Sequence, residues 1–136
     1  MTDSLNKFVT MTAETFIGKK ILIVEDDLSS RLYLNKILER TGAILLNAGD
    51  GSEAIDIASR EPDIKVILMD IQLPVMDGYT SAKKIRELGL DIKIIAQTAY
   101  GLSGDMESIL SSGFDDYMIK PIYSEQLIEK LSYYIV

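Results

Sequence analysis

The sequence predicts an α/β fold, a doubly wound five-stranded parallel sheet with helices on both faces. Five short apolar runs follow one another from Lys19 onward: "ILIV" (21–24), "AILL" (43–46), "VILM" (66–69), "IKIIA" (92–96) and "YMI" (117–119). They are apolar at successive positions, as strands covered from both sides must be. Between them lie stretches with helical spacing, so strand and helix alternate five times. That alternation calls for right-handed crossovers and a parallel sheet.

Residues 1–18 show no clear period and read as a tail or linker, or as a short added element; the domain is expected over 19–136. After the first strand, Leu28, Leu32, Leu34, Ile37 and Leu38 are expected to share one broad helix face, with Asp27 capping the start and Gly42 the end. Asp50-Gly51 marks a turn, and a short helix follows from Ser52. "GYTSAKKIREL" gives the third helix, between Gly78 and Gly89, and Asp77-Gly78 reads as the turn ahead of it. "LSGDMESILSSG" gives the fourth, ending at Gly113, and the fifth is expected to take Ser124 as its cap. Five strands in such a chain suit the flavodoxin-like order 2-1-3-4-5.

Composition narrows the chemistry. Acidic residues outnumber basic ones 21 to 14, for a net charge of −7, which argues against a nucleic-acid surface and suits a bound divalent cation or a basic partner. There is no cysteine and no histidine. Thiolate and imidazole chemistry is therefore excluded, leaving carboxylates, hydroxyls, lysines and an oxygen-seeking metal. No apolar run approaches the roughly 20 residues that span a bilayer. A cytoplasmic location is expected, with no membrane contact by this domain.

In an open parallel sheet the ligand site lies beyond the carboxyl ends of the strands, where the order reverses. The first strand ends at Glu25 and Asp26, the third at Asp70, the fourth near Thr98 and the fifth at Lys120. Taken singly, each has an ordinary explanation: a helix cap, a strand-end hydroxyl, a surface lysine. Their joint occurrence at successive strand ends does not. Carboxylates in that number suit Mg²⁺ with some of its waters retained. With its charge screened, Asp70 can act as a nucleophile toward phosphorus, while Lys120 and Thr98 meet the phosphoryl oxygens.

The motifs "ILIVEDD", "VILMDIQLPVMDG", "IIAQTA" and "YMIKPI", in order and suitably spaced, resemble the receiver domain of two-component response regulators over residues from about 19 to 136. The resemblance implies that Asp70 accepts a phosphoryl group from a phosphohistidine. It makes Asp26 a direct ligand of Mg²⁺ (or Mn²⁺), places Glu25 on the metal directly or through water, and has Gln72 offer its main-chain carbonyl. It implies that Thr98 and Tyr117 form the switch, that Lys120 holds a phosphoryl oxygen beside a cis bond to Pro121, and that Ala99 keeps the acceptor accessible. Gln72 and Tyr100 stand where phosphate lifetime is tuned. Glu25 departs from the more usual aspartate, and Ile122 from a frequent aromatic.

The implied partner is a histidine kinase or a histidine phosphotransfer domain, and a homodimer through the fourth helix, fifth strand and fifth helix is a further expectation. Independent turnover is not expected beyond self-phosphorylation and slow self-dephosphorylation. Two rival readings are an unphosphorylated receiver-like scaffold and an aspartyl-phosphate phosphatase. The phosphatase needs a second aspartate where Gln72 stands. The context is either a free-standing regulator or the cytoplasmic part of a membrane-bound hybrid kinase, towards which the tail inclines the reading.

Overall fold

In the computed structural model, residues 15–99 and 103–135 are described, without the side chains of 103–105. The elements run β1 (Lys20–Val24), α1 (Leu28–Glu39), β2 (Ile44–Ala48), α2 (Gly51–Arg60), β3 (Val66–Asp70), α3 (Gly78–Glu87), β4 (Lys93–Thr98), α4 (Ser103–Ser111), β5 (Asp116–Ile119) and α5 (Ser124–Tyr134). All neighbouring strands pair in parallel, in the order β2-β1-β3-β4-β5. The expected topology is therefore the observed one.

Side-chain alternation along each strand feeds two cores. Leu22, Val24, Ile67, Met69, Ile94 and Ala96 pack under α2, α3 and α4, against Ala54, Ala58, Ala82, Ile85 and Ile109. Their neighbours Ile21, Ile23, Val66, Leu68 and Ile95 pack under α1 and α5, against Leu34, Leu38, Leu127, Ile128 and Leu131. The apolar runs had to be continuous because both of their faces are buried.

Two local expectations are corrected. Only Leu34 and Leu38 of α1 are buried, while Leu28 and Leu32 stand 64% and 60% exposed. Moving two residues along a helix turns the side chain by about 200°, so Leu28 and Leu32 cannot follow Leu34 into the core. Ser124 is the first helical residue of α5 and not its cap. Tyr123 holds that position, with no side-chain capping bond, and its carbonyl receives the amide of Leu127 at 2.9 Å. The hydroxyl of Tyr33 donates to the Ile122 carbonyl at 2.7 Å and ties the preceding loop to α1.

Asp27 caps α1 as expected, Asp50 and Asp77, read as turn residues, cap α2 and α3, and the C-cap of α1 is Arg40, two residues before Gly42. Asp27, Asp50 and Asp77 accept the amides of Ser30, Glu53 and Thr80. Gly42, at φ +79°, turns the chain out of α1. Phe16, within the stretch read as a tail, is 1% exposed in the α1/α5 core, and its amide donates to the Thr41 carbonyl at 2.7 Å. Residues 1–14 lie outside the described residues. Among those described, no helix is long and apolar enough to cross a membrane.

Candidate functional site

β1, β3, β4 and β5 deliver their terminal polar residues to one edge of the sheet. Asp70 closes β3 in a segment buried at every position and is itself only 4% exposed. Its Oδ1 accepts the amide of Gln72 at 2.9 Å, and its Oδ2 accepts Lys120 Nζ at 2.6 Å. This pair answers the burial of Asp70: a carboxylate taken from water is tolerated when an ammonium and an amide meet it. Lys120 follows β5, with its amide on the Thr98 carbonyl at 2.7 Å, and its bond to Pro121 is cis.

Glu25 is 1% exposed. Its Oε1 accepts the amide of Asp27 at 3.2 Å, but its Oε2 is buried without a hydrogen-bond partner. Lys120 Nζ stands 4.0 Å from that oxygen, beyond hydrogen-bond reach. Burial first, and then the adjacent Asp70 carboxyl, push the Glu25 carboxyl up to about 7, against the pull of Lys120. Asp26 is exposed beside it. One carboxylate oxygen from each of Glu25, Asp26 and Asp70 lies within 4.8 Å of the others.

A cluster of three carboxylates answered by one ammonium is short of positive charge. The orphaned Glu25 Oε2 and an all-oxygen donor set suit a hard divalent cation. The residues present therefore fit one.

Thr98 ends β4, 5% exposed. Tyr117 is half-buried on β5, and its hydroxyl contacts Met106 Sδ of α4 at 3.1 Å. Ala99 is exposed next to Thr98. Gln72 lies exposed in the loop after Asp70. Tyr100 lies outside the described residues.

Two neighbours of the site escaped the sequence reading. Arg31, one turn into α1, donates from Nε and Nη2 to the Glu25 carbonyl at 3.2 and 2.9 Å, which fixes the turn carrying the acidic residues. Its signal was a cation one helical turn past an acidic run. Gln97 is 2% exposed in β4 and pairs in register with Asp70. Its signal was an amide inside the apolar run "IIAQTA".

Residues 21–132 match the family model described as "Response regulator receiver domain". Among curated proteins, the chain is 37% identical over 123 residues to an uncharacterized 14.6 kDa protein of Leptolyngbya boryana, covering 89% of this chain and 93% of that one. It is 35% identical over 115 residues to "Two-component system protein A" of Emericella nidulans, covering 83% of this chain but only 17% of that protein. It likewise spans 8% of a hybrid signal transduction histidine kinase of Dictyostelium discoideum, at 33% identity over 91% of this chain.

Two solved structures overlay on most of the chain. The receiver domain of a Pseudomonas aeruginosa sensor histidine kinase, solved with magnesium coordinated in its active-site cleft, is 38% identical with a TM-score of 0.79, over 87% of this chain and 98% of that one. The receiver domain of Saccharomyces cerevisiae Ssk1, solved with the histidine phosphotransfer protein Ypd1, is 30% identical in a match with a TM-score of 0.83, over 88% and 90%. A family match of this extent, carried by the same sheet that brings Asp70 and its neighbours together, means that the chain belongs to the response regulator receiver domain family.

Proposed function

We propose that Asp70 accepts a phosphoryl group from a phosphohistidine on a histidine kinase or histidine phosphotransfer domain. The observation that carries this reading is Asp70 itself, 4% exposed, bonded to Lys120 at 2.6 Å and joined by Glu25 and Asp26. Glu25, Asp26, Asp70 and the main-chain carbonyl of Gln72 would hold Mg²⁺, with Mn²⁺ as its substitute; the bound ion supplies positive charge to the phosphoryl oxygens and screens the carboxylates. The likeness to the magnesium-bound receiver and to the receiver partnered by Ypd1 supports both assignments.

One carboxylate oxygen of Asp70 attacks phosphorus in line with the bond to the donor imidazole. That P–N bond breaks, the imidazole leaves, and a P–O bond to Asp70 forms. Lys120 is held on Asp70 beforehand and transfers its ammonium to a phosphoryl oxygen as the carboxylate charge is spent. Thr98 turns its hydroxyl to another. Tyr117 gives up its contact with Met106 and turns inward, which alters the face formed by α4, β5 and α5.

Exposed Leu110, Ile119 and Tyr133 on that face give it the character of a docking surface for a partner or a second copy. Phosphorylation biases an equilibrium between two arrangements of this surface. Gln72 and Tyr100 set how readily water removes the phosphoryl group. The domain works in the cytoplasm, alone or as part of a hybrid kinase.

Acetyl phosphate with Mg²⁺ should label the protein, and hydroxylamine should release the label, as expected of an acyl phosphate. A hydroxylamine-stable label would place the phosphoryl group on a hydroxyl and overturn the assignment.

A further inference from the structure

Glu25 is held at both polar atoms of its main chain and at one of its side chain. Its amide donates to the Ala48 carbonyl of β2 at 3.0 Å, and its Oε1 accepts the Asp27 amide. Its carbonyl accepts Nε and Nη2 of Arg31 at 3.2 and 2.9 Å. Oε2, buried and without a hydrogen-bond partner, is the atom left over. The phosphoryl chemistry gives Arg31 no task, yet this residue of α1 spends two charge-assisted donors on one carbonyl oxygen.

A peptide group is planar, so the oxygen that Arg31 holds lies in one plane with the amide nitrogen and Cα of Asp26. Two N–H groups on one edge of a rigid guanidinium fix that oxygen in both place and direction, which a point charge on a flexible stem does not. The fork thereby fixes the point from which the exposed Asp26 carboxylate is presented beside Glu25 and Asp70. Arg31 is anchored in turn. Its carbonyl accepts Asn35 Nδ2 at 2.8 Å, and Asn35 and Asn47 exchange side-chain amide bonds at 2.8 and 3.0 Å, which ties α1 to β2. A Cβ built on Gly49 would stand 3.2 Å from Arg31 Nη2, so the guanidinium lies in the space this glycine leaves.

We propose that Arg31 is a positioning residue of the metal site, which holds the β1–α1 turn to the spacing a small octahedral cation requires and so favours Mg²⁺ over Ca²⁺. The role rests on the reading that Glu25, Asp26 and Asp70 hold the cation. Mg²⁺ needs oxygen ligands close to ideal octahedral positions at about 2.0–2.1 Å, whereas Ca²⁺ accepts about 2.3–2.6 Å and irregular geometry. A loosened turn therefore costs Mg²⁺ more than Ca²⁺. Charge works the other way, because a guanidinium near the cluster repels a divalent cation, and its removal alone would tighten the binding of both.

Mg²⁺ and Ca²⁺ are titrated separately into the parent, Arg31→Met and Arg31→Lys, following the backbone amide resonances of Asp27 and Gln72, which are bonded to Glu25 and Asp70. Arg31→Met removes both charge and fork, and Arg31→Lys keeps the charge and loses the fork. Both variants should hold Mg²⁺ about tenfold more weakly than the parent, as happens when a partner that orients a metal ligand is lost, with a smaller loss for Ca²⁺. A general loss of stability leaves the ratio of the two affinities untouched, and urea unfolding without metal measures it separately. Should Arg31→Met fail to fold, Arg31→Lys alone decides. Mg²⁺ bound by either variant as tightly as by the parent, or an equal loss for both cations, would overturn the role. A parent whose amides show no saturable shift with Mg²⁺ would overturn the metal site itself, and this role with it.

Discussion

Glu25, Asp70 and Lys120 show how much of this site is settled one residue at a time. Asp70 closes β3 while Glu25 and Lys120 come one residue after β1 and β5, and a strand end is the one position where a chain can pass from a buried sheet to a polar task within a single residue. The turn after β3 is equally constrained. A Cβ built on Gly78 would lie 2.6 Å from the Asp70 carbonyl oxygen and 2.8 Å from Ile71 Cα, both rigid backbone atoms. Gly78→Ala should therefore destabilise the protein by about 1–3 kcal/mol in urea unfolding, the usual cost of overpacking. A variant as stable as the parent would show that the loop yields freely. Asp70 and Lys120 were legible because the apolar runs before them are sharp. Gln97 was not. An amide within an apolar strand does not announce which face it takes or whether a partner awaits it.

At the scale of elements, the strands were easier to read than the helix faces. Every strand lies within two residues of its apolar run, most sharply β1, β3 and β4, which are buried on both faces, while the edge strands β2 and β5 are only partly covered. In α1, by contrast, Leu28 and Leu32 have the right residue type and the wrong angle. The start of α5 depends on the loop held by Tyr33, a contact between positions 33 and 122 that no local pattern carries.

The β5–α5 contact also carries a pH signature. Asp116 accepts the Tyr134 hydroxyl at 2.7 Å, the Tyr117 amide at 2.8 Å and Lys130 Nζ at 3.1 Å. Burial raises its pKa, but these donors together outweigh burial and hold the carboxyl below its usual value of 3.8. The Tyr134 phenol is pushed up to about 12, by burial and then by Asp116. A depressed carboxyl stabilises the fold above its unfolded pKa, and that stability is lost as pH falls through the folded one. Asp116→Asn should cost about 1 kcal/mol at neutral pH, with the gap to the parent narrowing below pH 3.8. A gap that does not change with pH would mean that the carboxylate charge is not what joins β5 to α5.

For the whole molecule, strand order is the decision that makes a site out of scattered residues. With β1 beside β3, the acidic residues ending β1 come next to Asp70, and β4 and β5 add Thr98 and Lys120. That order was legible from the alternation of elements, whereas the inclusion of Phe16 in the core was not, since one aromatic in an aperiodic stretch gives no sign of its destination. The finished edge gathers negative charge that a cation would relieve. Mg²⁺ should raise the unfolding temperature, and at about one hundred times its Kd it should add about 2.7 kcal/mol. Asp70→Asn should reduce that gain, and a gain equal to the parent's would remove Asp70 from the metal site.

The most direct measurement is the intact mass of the protein after incubation with Mg²⁺ and acetyl phosphate, beside Asp70→Asn. The parent should gain one phosphoryl group and the variant none. A parent that stays unmodified while Mg²⁺ is shown to bind, or a variant that gains the group equally, would contradict the assignment of Asp70 as the acceptor.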